Sequence, residues 1–361
     1  MTGRNKLWFG ATLMALTLVS SVCSAQPVEK FVYGVPSAVN ADIANFIFAE
    51  ELGYFKEARI SMEYIPVAGS GVSIPMMMSG QLQVTNASLE PLTISRVPGK
   101  QNFPLMFVYN HVRNSSWEFV VLDSSPIQTV ADMKGKTIGV VAMSSGNVFM
   151  TRAVLKAEGI LDQTTLQPVG FGVQAFEALR NKQVDVLNLW ATMHAMLGRT
   201  AIKIRRVEYP AAFQNLSSHG FLFSKKMIEE NPGAIARFGR AVTKGVVACQ
   251  AAPENCLRAF FRRYPNLRPS TAKTEEEAIQ QEMPVLIARL GNIGIANPAD
   301  QKKYGEYQDR DWQVLIDALK LGGEIPNDAK IPYDSLYTNR FVKDYNDFNI
   351  DEVVQQAKAY R

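Results

Sequence analysis

The sequence predicts an α/β protein built as two similar lobes. Three observations carry that expectation: two successive strand–helix–strand series, a helix-rich region from Lys225 onward, and no long Pro/Gly/Ser linker between them. With 361 residues, 47% hydrophobic and 20% charged, the chain is globular in composition and long enough to bury a large core.

The first series opens with the strand Phe31 to Val35, which ends at Pro36-Ser37-Ala38-Val39-Asn40. A helix through Ile43, Phe46, Ile47 and Ala49 follows and closes at Leu52-Gly53-Tyr54-Phe55. The strand Ile60 to Pro66 then delivers Gly69-Ser70-Gly71, a glycine-rich turn into the helix Val72 to Met78. Gln81 to Thr85 is the third strand and arrives at Asn86-Ala87-Ser88. Such a series adopts parallel pairing with right-handed crossovers. Two apolar strands, Leu105 to Tyr109 and Phe119 to Leu122, flank the polar segment 111–116.

The second series begins within Asp132 to Leu161. Thr137-Ile138-Gly139-Val140-Val141 is too short for a core helix and rich in β-branched residues, so it reads as a buried strand. Ser144-Ser145-Gly146 opens a helix that buries Phe149, Ala153, Val154 and Leu155, and Gly159 closes it. A helix starting at a strand's carboxyl end turns free N–H groups and a positive dipole end toward the crevice where open sheets take ligands. The same residues also describe an ordinary Ser-capped helix, and the two roles can coexist. The strand Leu166 to Val169, the helix Gln174 to Arg180 and the strand Val184 to Leu187 follow. That last strand runs out at Asn188-Leu189-Trp190, where the first series placed Asn86. The strand Ile202 to Val207 and the segment His219 to Phe223 then lead into long helices at Gly233 to Gln250, Glu275 to Leu290 and Asp309 to Leu321.

Residues 1–25 read as a signal peptide: Arg4 and Lys6 precede the apolar run Leu7 to Val22, and Cys23-Ser24-Ala25 offers a small-residue cleavage site. The run is short for a membrane span and is diluted by Thr12, Thr17 and Ser20. Bulky Val22 argues against a lipid attachment at Cys23. Without Arg4 and Lys6, the 38 basic residues come within two of the 34 acidic ones, and no Lys/Arg stripe is interleaved with aromatics. Nucleic acid is therefore not an expected partner. Cys249 and Cys256, close together in an exported chain, form the expected disulfide, clipping a helix end at Ala252-Pro253. No His or further Cys accompanies them, and His111, His194 and His219 lack ligand spacing, so no metal is expected.

Four segments, in order along the chain, resemble the periplasmic solute-binding proteins of ABC importers, in the branch that takes nitrate, alkanesulfonates, taurine and thiamine-type pyrimidines. Glu50 to Ile60 is similar to the family's "GYF…GI" junction, with Arg59 where Gly is usual. Asp132-Met133-Lys134-Gly135-Lys136-Thr137-Ile138-Gly139-Val140 resembles its "DLKGKxIGV" segment. Ala178 to Val186 resembles "AL…GxVDA", with Asn181-Lys182 replacing Gly, and Glu230-Asn231-Pro232-Gly233-Ala234 through Arg240-Ala241 resembles "ENPE…F.RA". Tyr337-Thr338-Asn339 followed by Phe341 also fits this branch.

The resemblance implies a type II periplasmic-binding-protein fold: two doubly wound sheets, two hinge strands, and ligand closed between the lobes for delivery to an inner-membrane ABC permease. Residues 26–113 and 222–361 would form lobe 1 and 114–221 lobe 2, with a monomeric protein and with Asn110, His111, Trp117 and His219 near the hinge. The loops at the carboxyl ends of both sheets should then face each other. They place Ser37, Asn40, Gly69, Ser70, Gly71, Asn86 and Ser88 opposite Ser144, Ser145, Gly146, Asn188 and Trp190 as candidate ligand-binding residues. These are uncharged donors, with glycines permitting close backbone approach, and Trp190, Trp117 and Tyr109 are candidate aromatic walls. The absence of a clear Arg or Asp from these loops points to an organic rather than an inorganic ligand, of sulfonate, aromatic-acid or pyrimidine class.

No Gly-x-Ser-x-Gly elbow, phosphate-loop Lys or zinc-protease His pair is present, and no cofactor is expected. Fungal pyrimidine synthases share the fold but carry a cysteine-rich motif that this chain lacks. A non-enzymatic binder is the expectation. A ligand-sensing periplasmic protein is the alternative, and an enzyme of the pyrimidine-synthase type is the more remote one.

Overall fold

The computed structural model describes residues 27–198, 200, 202–214, 216–293 and 303–361. The expected signal peptide, with Cys23, lies outside the described residues. No helix among the described residues is long and apolar enough to cross a membrane.

Chain order begins with β1 (Glu29–Val35), α1 (Ala44–Glu51), α2 (Tyr54–Glu57), β2 (Ile60–Pro66), α3 (Ser70–Met78), β3 (Val84–Ser88), α4 (Leu89–Ser95) and β4 (Leu105–Val112). The chain crosses to β5 (Trp117–Leu122), β6 (Thr137–Val140), α5 (Gly146–Ala157), β7 (Thr165–Pro168), α6 (Val173–Arg180), β8 (Val186–Trp190), α7 (Ala191–Leu197) and β9 (Ile204–Val207). It returns through β10 (His219–Ser224) and ends in α8 (Lys225–Glu230), α9 (Pro232–Ala251), α10 (Pro253–Arg263), α11 (Glu275–Ile293), α12 (Asp309–Gly322), α13 (Val342–Tyr345) and α14 (Ile350–Ala359).

Two mixed five-stranded sheets result, ordered β2-β1-β3-β10-β4 and β7-β6-β8-β5-β9. Each has a parallel half made by its own series, β1–β3 or β6–β8, as the crossover pattern requires. Beside it lies an antiparallel crossing strand: β10 pairs with β3 and β4, and β5 with β8 and β9. Because β4 leads into β5 and β9 into β10, each crossing joins the edge strand of one sheet to an interior strand of the other. Asn110 and His111 sit inside β4 rather than in the crossing, since Asn110 is opposite Gly220 in the ladder. The return strand enters the first sheet at His219, opposite Ser88.

The helical region does more than return to the first lobe. Helices α9 and α10 cover α1, and α13 and α14 cover α9, but α11 also packs on α7 and α12 on α5 of the second lobe. Trp312 of α12 is fully buried beside Phe107 and stacks on Tyr337. Cys249 and Cys256 form a disulfide with Cα atoms 5.1 Å apart. It ties the end of α9 to the start of α10, with both sulfurs buried in the core.

Arg59 and Lys182 are the non-glycine residues with left-handed φ among those described, at 54° and 56°. These are the two places where the sequence departs from glycine in the family pattern. The backbone keeps the turn that glycine would make, at a steric cost of about 1 kcal/mol each. Lys182→Gly is therefore expected to raise stability by about 0.5–1 kcal/mol and Tm by about 2 °C. A thermal melt showing equal or lower Tm would remove this account.

Candidate functional site between the two lobes

A small cavity lies where the carboxyl ends of the two sheets meet. The first lobe supplies Pro36 and Ser37 after β1, Asp42 before α1, Gly69 and Ser70 at the start of α3, and Asn86 and Ser88 from β3. The second supplies Trp117 of β5, Val141 after β6, Ser145 and Gly146 at the start of α5, and Trp190 at the end of β8. Ser116, His219 and, from α11, Arg289 complete the lining.

The helix starts do not stand open to the cavity as a pair of anion cradles. They abut one another. A side-chain carbon at Gly71 would fall 2.6 Å from the Ser144 carbonyl oxygen, and one at Gly146 would overlap Ser88 Oγ. Only glycine admits this approach of one lobe to the other. Ser145 occupies the N-cap position of α5, yet its side chain makes no capping bond, and its buried Oγ has no hydrogen-bond partner. Ser70 Oγ instead lies 2.8 Å from Ser88 Oγ and accepts from the Ser88 backbone N–H at 2.9 Å, which secures α3 to β3.

One ion pair sits in the lining. Arg289 Nη2 lies 3.2 Å from Asp42 Oδ1, with both side chains less than a tenth exposed. Trp190 Nε1 donates to Asp42 Oδ2 at 3.1 Å, so a residue of the second lobe fixes a carboxylate of the first. Several polar atoms around the cavity are buried without a hydrogen-bond partner: Asn86 Oδ1, Trp117 Nε1, Ser145 Oγ and Arg289 Nε, with Asp42 Oδ1 held by the ion pair alone. Buried polar atoms are ordinarily satisfied, so their concentration marks a place built for a polar molecule. Burial holds the His219 imidazole down at about 3, with the nearby Arg289 charge acting in the same direction. His111, buried in β4, is held well below its ordinary value by burial first, then by the Arg289 and His219 charges.

Of the residues expected to bind ligand, Ser37, Gly69, Ser70, Asn86, Ser88, Ser145, Gly146 and Trp190 line the cavity. The others lie elsewhere for definable reasons. Asn40 caps the turn before α1, accepting from the Asp42 N–H at 2.7 Å. Gly71 and Ser144 press on each other. Asn188 is fully buried, accepting from Asn147 and Thr151 and donating to Tyr209 Oη at 2.8 Å, so it holds α5 to β8. Trp117 and His219, expected near the hinge, face the cavity. Tyr109 is buried in the first lobe and bonded to Thr243.

The rim loops carry no Arg or Asp, but Asp42, two residues beyond Asn40, and Arg289 of α11 bring a charged pair into the lining from outside them. Arg289 was legible in one respect. The buried positions Ala278, Glu282, Val285, Leu286, Arg289 and Ile293 form one stripe of α11, and a charged residue on an apolar stripe signals a buried partner. Nothing in the sequence indicated that the stripe would face Asp42.

These features define a two-lobed α/β protein with a polar, aromatic-walled cleft. The chain matches the NMT1/THI5-like family over residues 40–256 and belongs to that family. It is 22% identical over 244 residues to the riboflavin-binding protein RibY of Chloroflexus aurantiacus, a match covering 67% of this chain and 66% of that one. A Haemophilus influenzae protein named for thiamine biosynthesis is 28% identical over 160 residues, 44% of each chain. This chain thus spans less than two thirds of the length of the curated relatives it matches. The alkanesulfonate-binding protein SsuA from Xanthomonas axonopodis pv. citri, bound to MOPS, superposes with a TM-score of 0.64 at 14% identity, over 87% of this chain and 99% of that one. A cysteine-to-serine mutant of DszB, a desulfurization enzyme, in complex with biphenyl-2-sulfinic acid superposes with a TM-score of 0.52 at 15% identity, over 91% of this chain and 99% of that one. The fold is that of the periplasmic binding proteins.

Glu90, at the start of α4, lies behind the cavity and is fully buried beside Gly146, its Oε2 without a hydrogen-bond partner. Desolvation pushes its carboxyl up to about 8, against smaller opposing hydrogen bonds from its own backbone and Ser88. Between 4.5 and 8 the folded protein holds a proton that the unfolded chain has lost. Stability from this group is therefore complete below pH 4.5 and declines as pH rises, by at most about 1.4 kcal/mol per unit. Glu90→Gln is expected to flatten that decline and to raise Tm most at pH 8. Parallel pH profiles of Tm for the variant and the parent protein would disprove it.

Proposed function

We propose that this protein is the solute-binding component of an ABC-type importer. It is exported to the periplasm, works as a monomer, closes on a small organic ligand and presents it to a membrane permease. The observation that carries this reading is the set of orphaned polar atoms facing a cavity to which both lobes contribute. Ser37, Gly69, Ser70, Asn86, Ser88 and Asp42 form the first-lobe half of the binding site. Ser145, Gly146, Trp117 and Trp190 form the second, with His219 and Arg289 at its back. Ligand settles on one open lobe, the crossing segments bend, and the second lobe completes the contacts. Riboflavin and alkanesulfonates, named for two relatives, support an organic ligand of sulfonate, aromatic-acid or pyrimidine class.

The likeness to DszB raises an enzymatic reading. His219 is the imidazole in the lining, and burial makes it too weak a base to hold a proton near neutrality, while Arg289 and Asp42 are paired with each other. We therefore favour binding without turnover.

A thermal-shift panel of alkanesulfonates, aromatic acids, pyrimidines and riboflavin tests both points. A ligand at a hundred times its Kd should stabilise the protein by about 2.7 kcal/mol. Trp190→Phe, which removes the bond to Asp42, should weaken the same ligand about tenfold, measured by calorimetry. Conversion of the ligand to a new product would replace the binder with an enzyme.

A further inference from the structure

The charged groups in the lining are one cation and one anion, and they are paired. Each retains hydrogen-bonding capacity: Arg289 keeps an unpartnered donor at Nε, and Asp42 Oδ1, though it faces Arg289 Nη2 in the ion pair, accepts no hydrogen bond. The carboxylate is not free to swing away, because Trp190 holds its other oxygen. The helix starts, which would otherwise favour an anion, already face protein oxygens of the opposite lobe. Gly71 meets the Ser144 carbonyl, and Gly146 meets Ser88 and the Glu90 carboxyl. Trp117 and Trp190 add aromatic surface, with ring centroids 6.4 Å apart and planes at 83°.

We infer that the Asp42–Arg289 pair is the charge filter of this cleft, selecting ligands without net charge that carry an N–H donor beside a carbonyl or ring-nitrogen acceptor. The ligand N–H donates to Asp42 Oδ1, and the ligand acceptor receives the Arg289 Nε–H. A simple sulfonate or carboxylate offers acceptors alone and places its charge against the fixed Asp42 carboxylate. An uncompensated charge buried in such a site is costly, so the filter discriminates against it. A protonated amine meets the same obstacle at Arg289. The inference rests on the binding role proposed above and narrows its ligand classes to the neutral heterocycles, setting the sulfonates and aromatic acids aside.

The test uses the purified protein with three sets of probes of similar size: uracil and cytosine as neutral, benzenesulfonate and benzoate as anionic, and benzamidine as cationic. Calorimetry and thermal shift should give the parent protein at least tenfold preference for a neutral probe. Asp42→Asn keeps the side chain's shape and leaves Arg289 unbalanced. It should lose at least tenfold toward the neutral probe and gain at least tenfold toward benzenesulfonate. Arg289→Gln leaves Asp42 unbalanced and should gain affinity for benzamidine instead. If one variant fails to fold, the other and the parent panel decide the matter.

Equal or stronger binding of anions by the parent protein, or variants whose preferences do not move in opposite directions, would overturn the filter and leave the clamp standing. If no probe of any charge stabilises the parent or either variant, the binding role falls as well.

Discussion

The close approach of the two lobes at Gly71 and Gly146 governs the rest of the site. At both points a side-chain carbon would run into a residue of the other lobe, Ser144 or Ser88. Without that approach, Ser145 and Trp190 could not reach a cavity whose other wall is Ser37, Asp42 and Asn86. The glycines act by lacking a side chain rather than by taking an unusual backbone conformation, since neither carries a positive φ. The cleft is therefore a property of two surfaces brought together, and each lobe supplies only part of it.

Packing remote from the cleft supports the same arrangement. Helix α12 lies against α5, whose first residues reach the cavity, and Gly322 at its end meets Ala153 backbone to backbone. Arg152 pairs with Glu324 beyond that contact at 2.6 Å. On the other side α11 packs on α7 while carrying Arg289 to Asp42. The C-terminal helices thus bridge both lobes, and motion of the lobes about their crossing segments would carry these seams with it. An exposed ion pair such as Arg152–Glu324 contributes little by itself, so the apolar face of α12, with Trp312, Leu315 and Leu319, does most of the holding.

Polar burial around the cleft divides into two kinds. Asn188 is satisfied by Asn147, Thr151 and Tyr209 and works as an internal strut. Asn86 and Ser145 keep unpartnered oxygens at the cavity. Both kinds occur at corresponding strand and helix ends, so sequence position alone does not separate them. Which neighbours lie within hydrogen-bond distance does.

The sequence by itself determined the α/β class, the two series of strands and helices, the disulfide and much of the cleft rim. These follow from local periodicity, turn residues and the rule that parallel strands end in a common crevice. It located strand ends less well: the third strand was expected at Gln81 to Thr85 and runs Val84–Ser88. The shift carries Asn86 and Ser88 into the strand, because sheet pairing to β10 extends it beyond its apolar residues. Tertiary structure alone decided that Arg289, far along the chain, meets Asp42, and that the two helix starts face each other instead of solvent. An ion pair across so great a separation leaves no local pattern beyond a charged residue on an apolar stripe. Its partner is chosen by how α11 lies over both lobes.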